Sequence, residues 1–398
     1  MTAVTPYVAP VLVFGLVVFV HELGHFLAAK AAGVYAPVFS LGWGRRLFGV
    51  RRGETDYRVS LIPLGGYVRM ASREDEAMAG LEGAGGTLQE APSRPADVPA
   101  ALWDPQGLAP FGPKAVPPDR WMESKPVLSR LFILLSGVVM NVLLTVVVAA
   151  GLALAYGVAS VPPVVQAVVP DAPAARAGVQ SGDRIVSIDG TPVAAWHEVL
   201  ERVSAETEGT RALVLEVERT GPSGVQRVAL RMIPQVADAP DPVTGARRRV
   251  GRIGIQVRDS VVRRAVGVVE ATTAGVSTTV EMAGNVVGVL GGLVRGSVSP
   301  RNLGGPIQIA RTSVQAARDG AEVLWSLIAF LSLNIAILNL VPIPVLDGGQ
   351  LVLVLAEAFK GRALSARTRD VLARVGVAAV LALILLATFN DVRSLAGR

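Results

Sequence analysis

His21-Glu22-Leu23-Gly24-His25 places two imidazoles and a carboxylate within five residues of an otherwise apolar run. On a helix, positions four apart share a face, so His21 and His25 can hold one Zn²⁺ while Glu22, beside the metal, serves as general base. Ionisable side chains at bilayer depth each cost roughly 2.5–3.5 kcal/mol on insertion scales. Three of them in one turn need compensation, and metal ligation supplies it. With three protein ligands a zinc site keeps a position for water, whose proton Glu22 takes as the water attacks a peptide carbonyl.

A third ligand has few sources. The chain contains no cysteine, which also excludes disulfide staples, and its one other histidine is His197. A carboxylate is therefore the expected donor. Asp347 is the candidate, because it ends an apolar span broken by Pro342 and Pro344 and precedes Gly348-Gly349. Irregular backbone inside a bilayer is tolerated only where it lines a cavity. Asn339 and the carbonyls freed by the prolines would line it, and Asn339 and Pro342 are assigned to substrate accommodation. His197 reads as an ordinary surface or groove residue.

A substrate that is itself a membrane helix has its carbonyls tied up in i to i−4 bonds and must unwind before attack. The segments 38–47 and 57–70, with β-branched and aromatic residues and glycine breaks, offer a strand edge for the unwound stretch. Gly65 and Gly66 in that region are further candidate substrate contacts.

The elements that must carry these residues are membrane spans. The chain has 398 residues, of which 51% are hydrophobic and only 18% charged, and a mean hydropathy of +0.48. Apolar runs at about 8–32, 128–159, 323–346 and 371–389 each approach or exceed the roughly 20 residues a crossing needs. The first lacks the basic start of a signal peptide, since no Lys or Arg precedes Lys30. In the second, Ser136 and Gly137 permit close helix approach, and Asn141 needs a buried partner. The net charge of +6 comes from arginines beside apolar spans rather than an aromatic-laced patch, so nucleic acid is not an expected partner. Arg45, Arg46, Arg51, Arg52, Arg58 and Arg69 after the first span, and Lys360, Arg362, Arg367 and Arg369 before the fourth, place both loops in the cytoplasm. Both termini and the region of about 160–320 then face outward.

Within that region, Pro173 to Gly190 reads as a short helix, a glycine turn, a strand and an Asp189-Gly190 hairpin turn. The run resembles a bacterial PDZ domain, with later strands at 212–217 and 225–232 and a groove helix at 196–205. Such domains bind extended peptides by strand addition. Residues 71–120, rich in Gly, Pro, Ala and acidic groups, read as a flexible cytoplasmic insert. Residues 265–295 read as an amphipathic helix lying on the outer leaflet, with a fifth crossing as the alternative.

Together, His21 to His25, Ile62-Pro63-Leu64-Gly65-Gly66-Tyr67-Val68-Arg69-Met70, Gly137 with Asn141, the PDZ run, Gly304-Gly305-Pro306-Ile307 and Asn339 to Gly349 resemble the site-2 protease metalloproteases, most closely the bacterial RseP type. The resemblance implies a polytopic α-helical membrane protein of about four spans with a membrane-associated β-hairpin region and one periplasmic PDZ domain. It implies a zinc-dependent intramembrane endopeptidase of the bacterial inner membrane. Its substrates would be single-pass membrane proteins, such as anti-sigma-factor-like regulators or signal-peptide remnants. Zinc ligation carries over to His21, His25 and Asp347, and the acid/base role to Glu22. One departure is the single PDZ domain, where a well-known member has two in tandem. The expected plan is 1–70, first span and hairpin; 71–124, insert; 125–159, second span; 160–258, PDZ domain; 259–320, membrane-associated segment; 321–398, third and fourth spans. A catalytically idle scaffold is disfavoured because a structural zinc site needs no general base and usually closes all four positions. A zinc transporter is disfavoured because one site without a chain of intramembrane acids gives no route.

Overall fold

Helix α1 (Thr5–Ala31) is long enough to cross a hydrocarbon core, and its apolar sequence leaves its backbone no partner but itself. Gly33, at φ +69°, stops it. The Gly33 amide donates to Lys30 O and that of Val34 to Ala29 O, at 3.1 and 2.9 Å, the paired closure of a Schellman motif. The computed structural model describes residues 5–73, 88, 94, 98–221, 224–240, 247–257, 262–299, 304–362 and 364–396. Two compact units contain them: Met1–Ala149 with Gly275–Val286 and Arg301–Arg398, and Ala150–Ala274 with Val287–Pro300.

In the first unit, α1 is followed by β1 (Val38–Arg52) and β2 (Thr55–Arg69), joined by a tight turn at Gly53-Glu54. The register is doubled. Residues 38–41 of β1 lie between 56–59 of β2 on one side and 66–69 on the other, while 46–52 pair back onto 55–60. Arg46 clamps the sheet from within, donating from Nε and Nη2 to the fully buried Asp56 carboxylate at 3.0 and 3.1 Å. Phe39 docks the sheet on α1, its ring 5.5 Å from Phe19 and 5.1 Å from Phe26. Glu54 ties the hairpin turn to Lys30 at the end of α1 (2.6 Å) and to Arg120 (2.8 Å).

Helix α2 (Val127–Tyr156) crosses α1 at Gly24, which presents no side chain to it. A Cβ on Gly24 would collide with the Ser136 carbonyl, so the two backbones meet directly. The three helices that follow in the chain belong largely to the second unit. The first unit resumes with α6 (Pro306–Asp319), α7 (Ala321–Asn339), α8 (Asp347–Lys360) and α9 (Ala366–Ala396). Ser332 Oγ of α7 donates to the Asn141 carbonyl of α2 at 2.9 Å, and Thr145 Oγ1 to the Ala329 carbonyl at 3.1 Å. The N-terminus of α6, which packs beside α1, is capped by Asp391 of α9. That carboxylate accepts from the amides of Gly305, Ile307 and Gln308 at 2.9–3.0 Å.

The second unit begins with β3 (Val158–Ser160), β4 (Val165–Val168), α3 (Pro173–Arg176), β5 (Arg184–Ile188), β6 (Thr191–Pro192) and α4 (Trp196–Ser204). It continues with β7 (Leu213–Gly221), β8 (Gly224–Met232), β9 (Gln235–Pro240), β10 (Arg247–Arg252), β11 (Ile255–Val257), β12 (Val262–Arg264) and the two ends of α5 (Val268–Val294), whose middle, Gly275–Val286, is counted with the first unit. Its main sheet has the antiparallel order β6-β5-β7-β8 and covers a core of Ile185, Ile188, Val199, Leu215 and Val217. Asp189 and Gly190, at φ 49° and 76°, make the turn between β5 and β6 that their sequence specifies. Smaller pairs, β4 with β11, β9 with β10 and β3 with β12, complete the strands.

Several expectations shift. The third span stops at Asn339 rather than Leu346, because Pro342 and Pro344 cannot continue a helix. Asp347 consequently opens a helix instead of closing a span, and most of the expected loop after it is α8. Helix α6 was not expected from the sequence. The described residues of the insert are 71–73, 88, 94 and 98–124; the last stretch carries three short 3₁₀ turns and buries Leu102, Phe111 and Met122, while 74–87, 89–93 and 95–97 lie outside the described residues. Residues 268–294 are one helix, and Glu270, Glu281 and many small polar residues keep it out of the four described helices long and apolar enough to cross a membrane.

The far end of α8 is clamped. Glu357 pairs with Arg130 of α2 at 3.0 Å and Arg369 of α9 at 2.8 Å, and accepts from the Leu364 amide at 2.9 Å. Burial would raise this carboxyl, but the amide and the two guanidiniums outweigh it and hold it below the ordinary range. A depressed carboxyl stabilises the fold fully above the ordinary glutamate value of about 4.3 and ceases to do so as pH falls through the lowered one. Glu357→Gln is expected to cost about 2–3 kcal/mol, read as a lower unfolding midpoint in detergent at pH 7. The deficit should stay unchanged in mildly acidic buffer and shrink only below about pH 4.3, as pH falls toward the lowered value.

Candidate metal centre

The two histidines are one helical turn apart on α1, nearly fully buried, with rings edge to face at 4.8 Å. His25 Nδ1–H donates to the Ile133 carbonyl of α2 at 2.8 Å, so its bare Nε2 points inward. His21 Nε2 lies 3.2 Å from it. Gly137 of α2 makes room for both rings, since a Cβ there would fall on His25 Nε2 and 2.7 Å from His21 Cε1.

Asp347 reaches the same point from the other end of the chain. Its Oδ2 lies 3.1 Å from His21 Nε2 and 3.4 Å from His25 Nε2. The glycines after it allow α8 to start against the preceding turn: a Cβ on Gly348 would meet Val341 O at 2.7 Å, and one on Gly349 would meet Pro344 Cα at 2.7 Å. The three donor atoms form a triangle of 3.1–3.4 Å sides. Bonds of about 2.0–2.2 Å to a tetrahedral centre require ligand separations of that size. Asp347 Oδ2 is buried without a hydrogen-bond partner. Two imidazole nitrogens and an orphaned carboxylate oxygen facing one another fit a divalent cation, and nitrogen and oxygen donors of this kind suit Zn²⁺.

Around this triangle, Glu22 accepts the Val68 amide of β2 at Oε2, 3.2 Å away. Gly66 borders the same carboxylate, its missing Cβ 3.6 Å from Glu22 Cγ. Asn339 at the end of α7 reaches the centre, Nδ2 lying 3.1 Å from His21 Nε2. Gly65, at φ +111°, packs under Trp43 instead. Pro342 is exposed in the turn before α8, and no described contact joins it to the cluster. His197 lies in α4 of the second unit. The Ile133 carbonyl and the Val68 amide were not foreseen, because backbone groups leave no mark on residue type. The Gly24 and Ser136-Gly137 pairing was the available signal for the close crossing.

A family model described as peptidase family M50 matches residues 9–383. The chain belongs to peptidase family M50. A Rhizobium meliloti protein named as a candidate zinc metalloprotease is 34% identical over 98% of each chain. Zinc metalloprotease RasP of Bacillus licheniformis is 30% identical over 98% of this chain and 99% of its own. The regulator of sigma-W protease RasP of Bacillus subtilis is 29% identical over 98% and 99%. This M50 protein is accordingly a zinc metalloprotease, and the four helices among its described residues that are long and apolar enough to cross a membrane make it a multi-pass membrane protein.

Gly137→Ala tests the geometry. Its methyl must displace both imidazoles, which is expected to cost about 1–3 kcal/mol in packing strain and to lower the zinc content of the purified protein, measured by elemental mass spectrometry, while circular dichroism stays helical.

Proposed function

We propose that this protein is an intramembrane endopeptidase in which His21, His25 and Asp347 hold Zn²⁺ and Glu22 moves the proton. The observation that supports this most is the triangle of Nε2, Nε2 and Oδ2 donors inside apolar helices, with a carboxylate one residue from the first histidine. Bound there, Zn²⁺ supplies Lewis-acid polarisation of the scissile carbonyl and of the attacking water. Glu22 takes the proton from that water and returns it to the leaving amide nitrogen, so each cleavage restores the carboxylate.

Substrate presentation falls to β2. Residues 66–69 pair with 38–41 on one side only, and the Val68 amide projects from the other side toward Glu22. An unwound stretch of a substrate helix can pair along the edge at Gly66 to Val68 and bring a peptide carbonyl to the carboxylate. Gly66 keeps this passage clear, and Asn339 donates from the opposite wall; Gly65 and Pro342 belong to the same surroundings at one remove.

The arginine-flanked hairpin is read as cytoplasmic, and the second unit with both termini as periplasmic, in the inner membrane of a bacterium. The second unit is read as a single PDZ domain over 160–258, which screens the outer parts of substrates or binds a peptide in the groove beside α4. The expected substrates are single-pass proteins already trimmed outside the membrane, including anti-sigma-factor-like regulators, in keeping with the name of the Bacillus subtilis relative, and signal-peptide remnants.

In proteoliposomes with a tagged single-pass substrate, Glu22→Gln should slow cleavage by about 10²–10⁴-fold while zinc remains stoichiometric. Asp347→Ala should lose both zinc and cleavage. Unchanged cleavage by the Glu22 variant would exclude this reading.

A further inference from the structure

The two histidines are not held alike. The Ile133 carbonyl fixes His25 by its Nδ1–H. His21 turns Nε2 to the same cluster, so the hydrogen of its neutral ring belongs on Nδ1 and needs an acceptor. The side-chain atom facing that nitrogen is Nδ2 of Asn141, at 3.5 Å, a donor set against a donor. At the other end of the same amide, Asn141 Oδ1 is buried and has no hydrogen-bond partner, in a residue that is 0% exposed.

The two ends of a carboxamide share one shape and have opposite hydrogen-bonding character. Exchanging them removes the clash of donors and gives the orphaned oxygen a hydrogen. We propose that Asn141 is a positioning residue for the metal: its amide oxygen accepts His21 Nδ1–H, fixes that ring in the tautomer whose Nε2 is bare, and so completes on α2 what Ile133 begins. Residues 133, 137 and 141 are four apart and share one face of α2. Along that face the Ile133 carbonyl orients His25, Gly137 leaves space for both rings, and Asn141 orients His21. The Asn141 backbone is itself pinned, its carbonyl accepting Thr145 Oγ1 and Ser332 Oγ, each at 2.9 Å. Those bonds use the main chain and survive a change of side chain.

The inference rests on the reading of His21, His25 and Asp347 as zinc ligands, and its test separates the two. Full-length wild type, Asn141→Asp and Asn141→Leu are purified in detergent, stripped, and titrated with Zn²⁺ against a competing chelator. The leucine variant should bind zinc about 10–100-fold more weakly, while the aspartate variant, which keeps an acceptor oxygen, should bind at least as tightly as wild type. Unfolding midpoints of the stripped proteins should not follow this order. Leucine and wild-type proteins of equal affinity, or an aspartate variant as weak as the leucine one, would overturn the proposal. Should the leucine protein not accumulate, Asn141→Ala is read by the same criteria. A wild-type protein that takes up no zinc would sink the ligand assignment itself, and this inference with it.

Discussion

Three lone-pair donors held within 3.4 Å of one another, among largely apolar helices, repel unless a proton or a metal cation lies between them. That single electrostatic requirement organises the first unit. Removing His21, His25 and Asp347 from water is unfavourable for each alone, so under the proposed ligation the apolar helices and the metal would stabilise each other, and folding of the centre would be linked to binding of the ion.

Close approach is the structural means. Lipid provides no hydrophobic force between helices, which leaves van der Waals contact and hydrogen bonds to draw them together. Glycine stands where contact is tightest: Gly24 against Ser136, Gly137 against both imidazoles, and Gly348 and Gly349 against residues 340–344. Polar side chains on the remaining faces bond across helices, as Thr145 and Ser332 do between α2 and α7. A Cβ at any of these glycines would meet a neighbouring atom closer than 3.0 Å, so the helices would have to part.

How much of this was legible follows from the kind of signal involved. The spacing of His21 and His25 announces a shared helical face, and the shortage of other donors singled out Asp347, which the structure brings to the same point. Asn339 reaches that point too, whereas Pro342 does not. The third span is shorter than its apolar run because an apolar window does not distinguish a helix from the apolar turn 340–346; the prolines mark its end better. Helix α6, with a weakly apolar sequence, owes its start to a carboxylate 80 residues or so downstream, Asp391, which no local window contains. The carbonyl that orients His25 is backbone, available at any residue, so only its placement identifies it.

Asp347 joins the histidines across more than 300 residues of chain, yet the separation itself costs little, since loop-closure entropy rises only as the logarithm of length. Orientation is the harder condition. One carboxylate oxygen must arrive within reach of two fixed nitrogens, and a helix pivoting about its first residue would sweep that oxygen away. Helix α8 is therefore held at both ends, by the glycine-packed turn at residues 340–349 and by Glu357, about 15 Å along the axis, between Arg130 and Arg369. Arg130 sits at the start of α2, the helix that also carries Ile133, Gly137 and Asn141. The Asp347 carboxylate and the groups that face the two imidazoles are thus referenced to the same rigid rod, so α2 sets the dimensions of the cluster although it carries none of its three donor atoms.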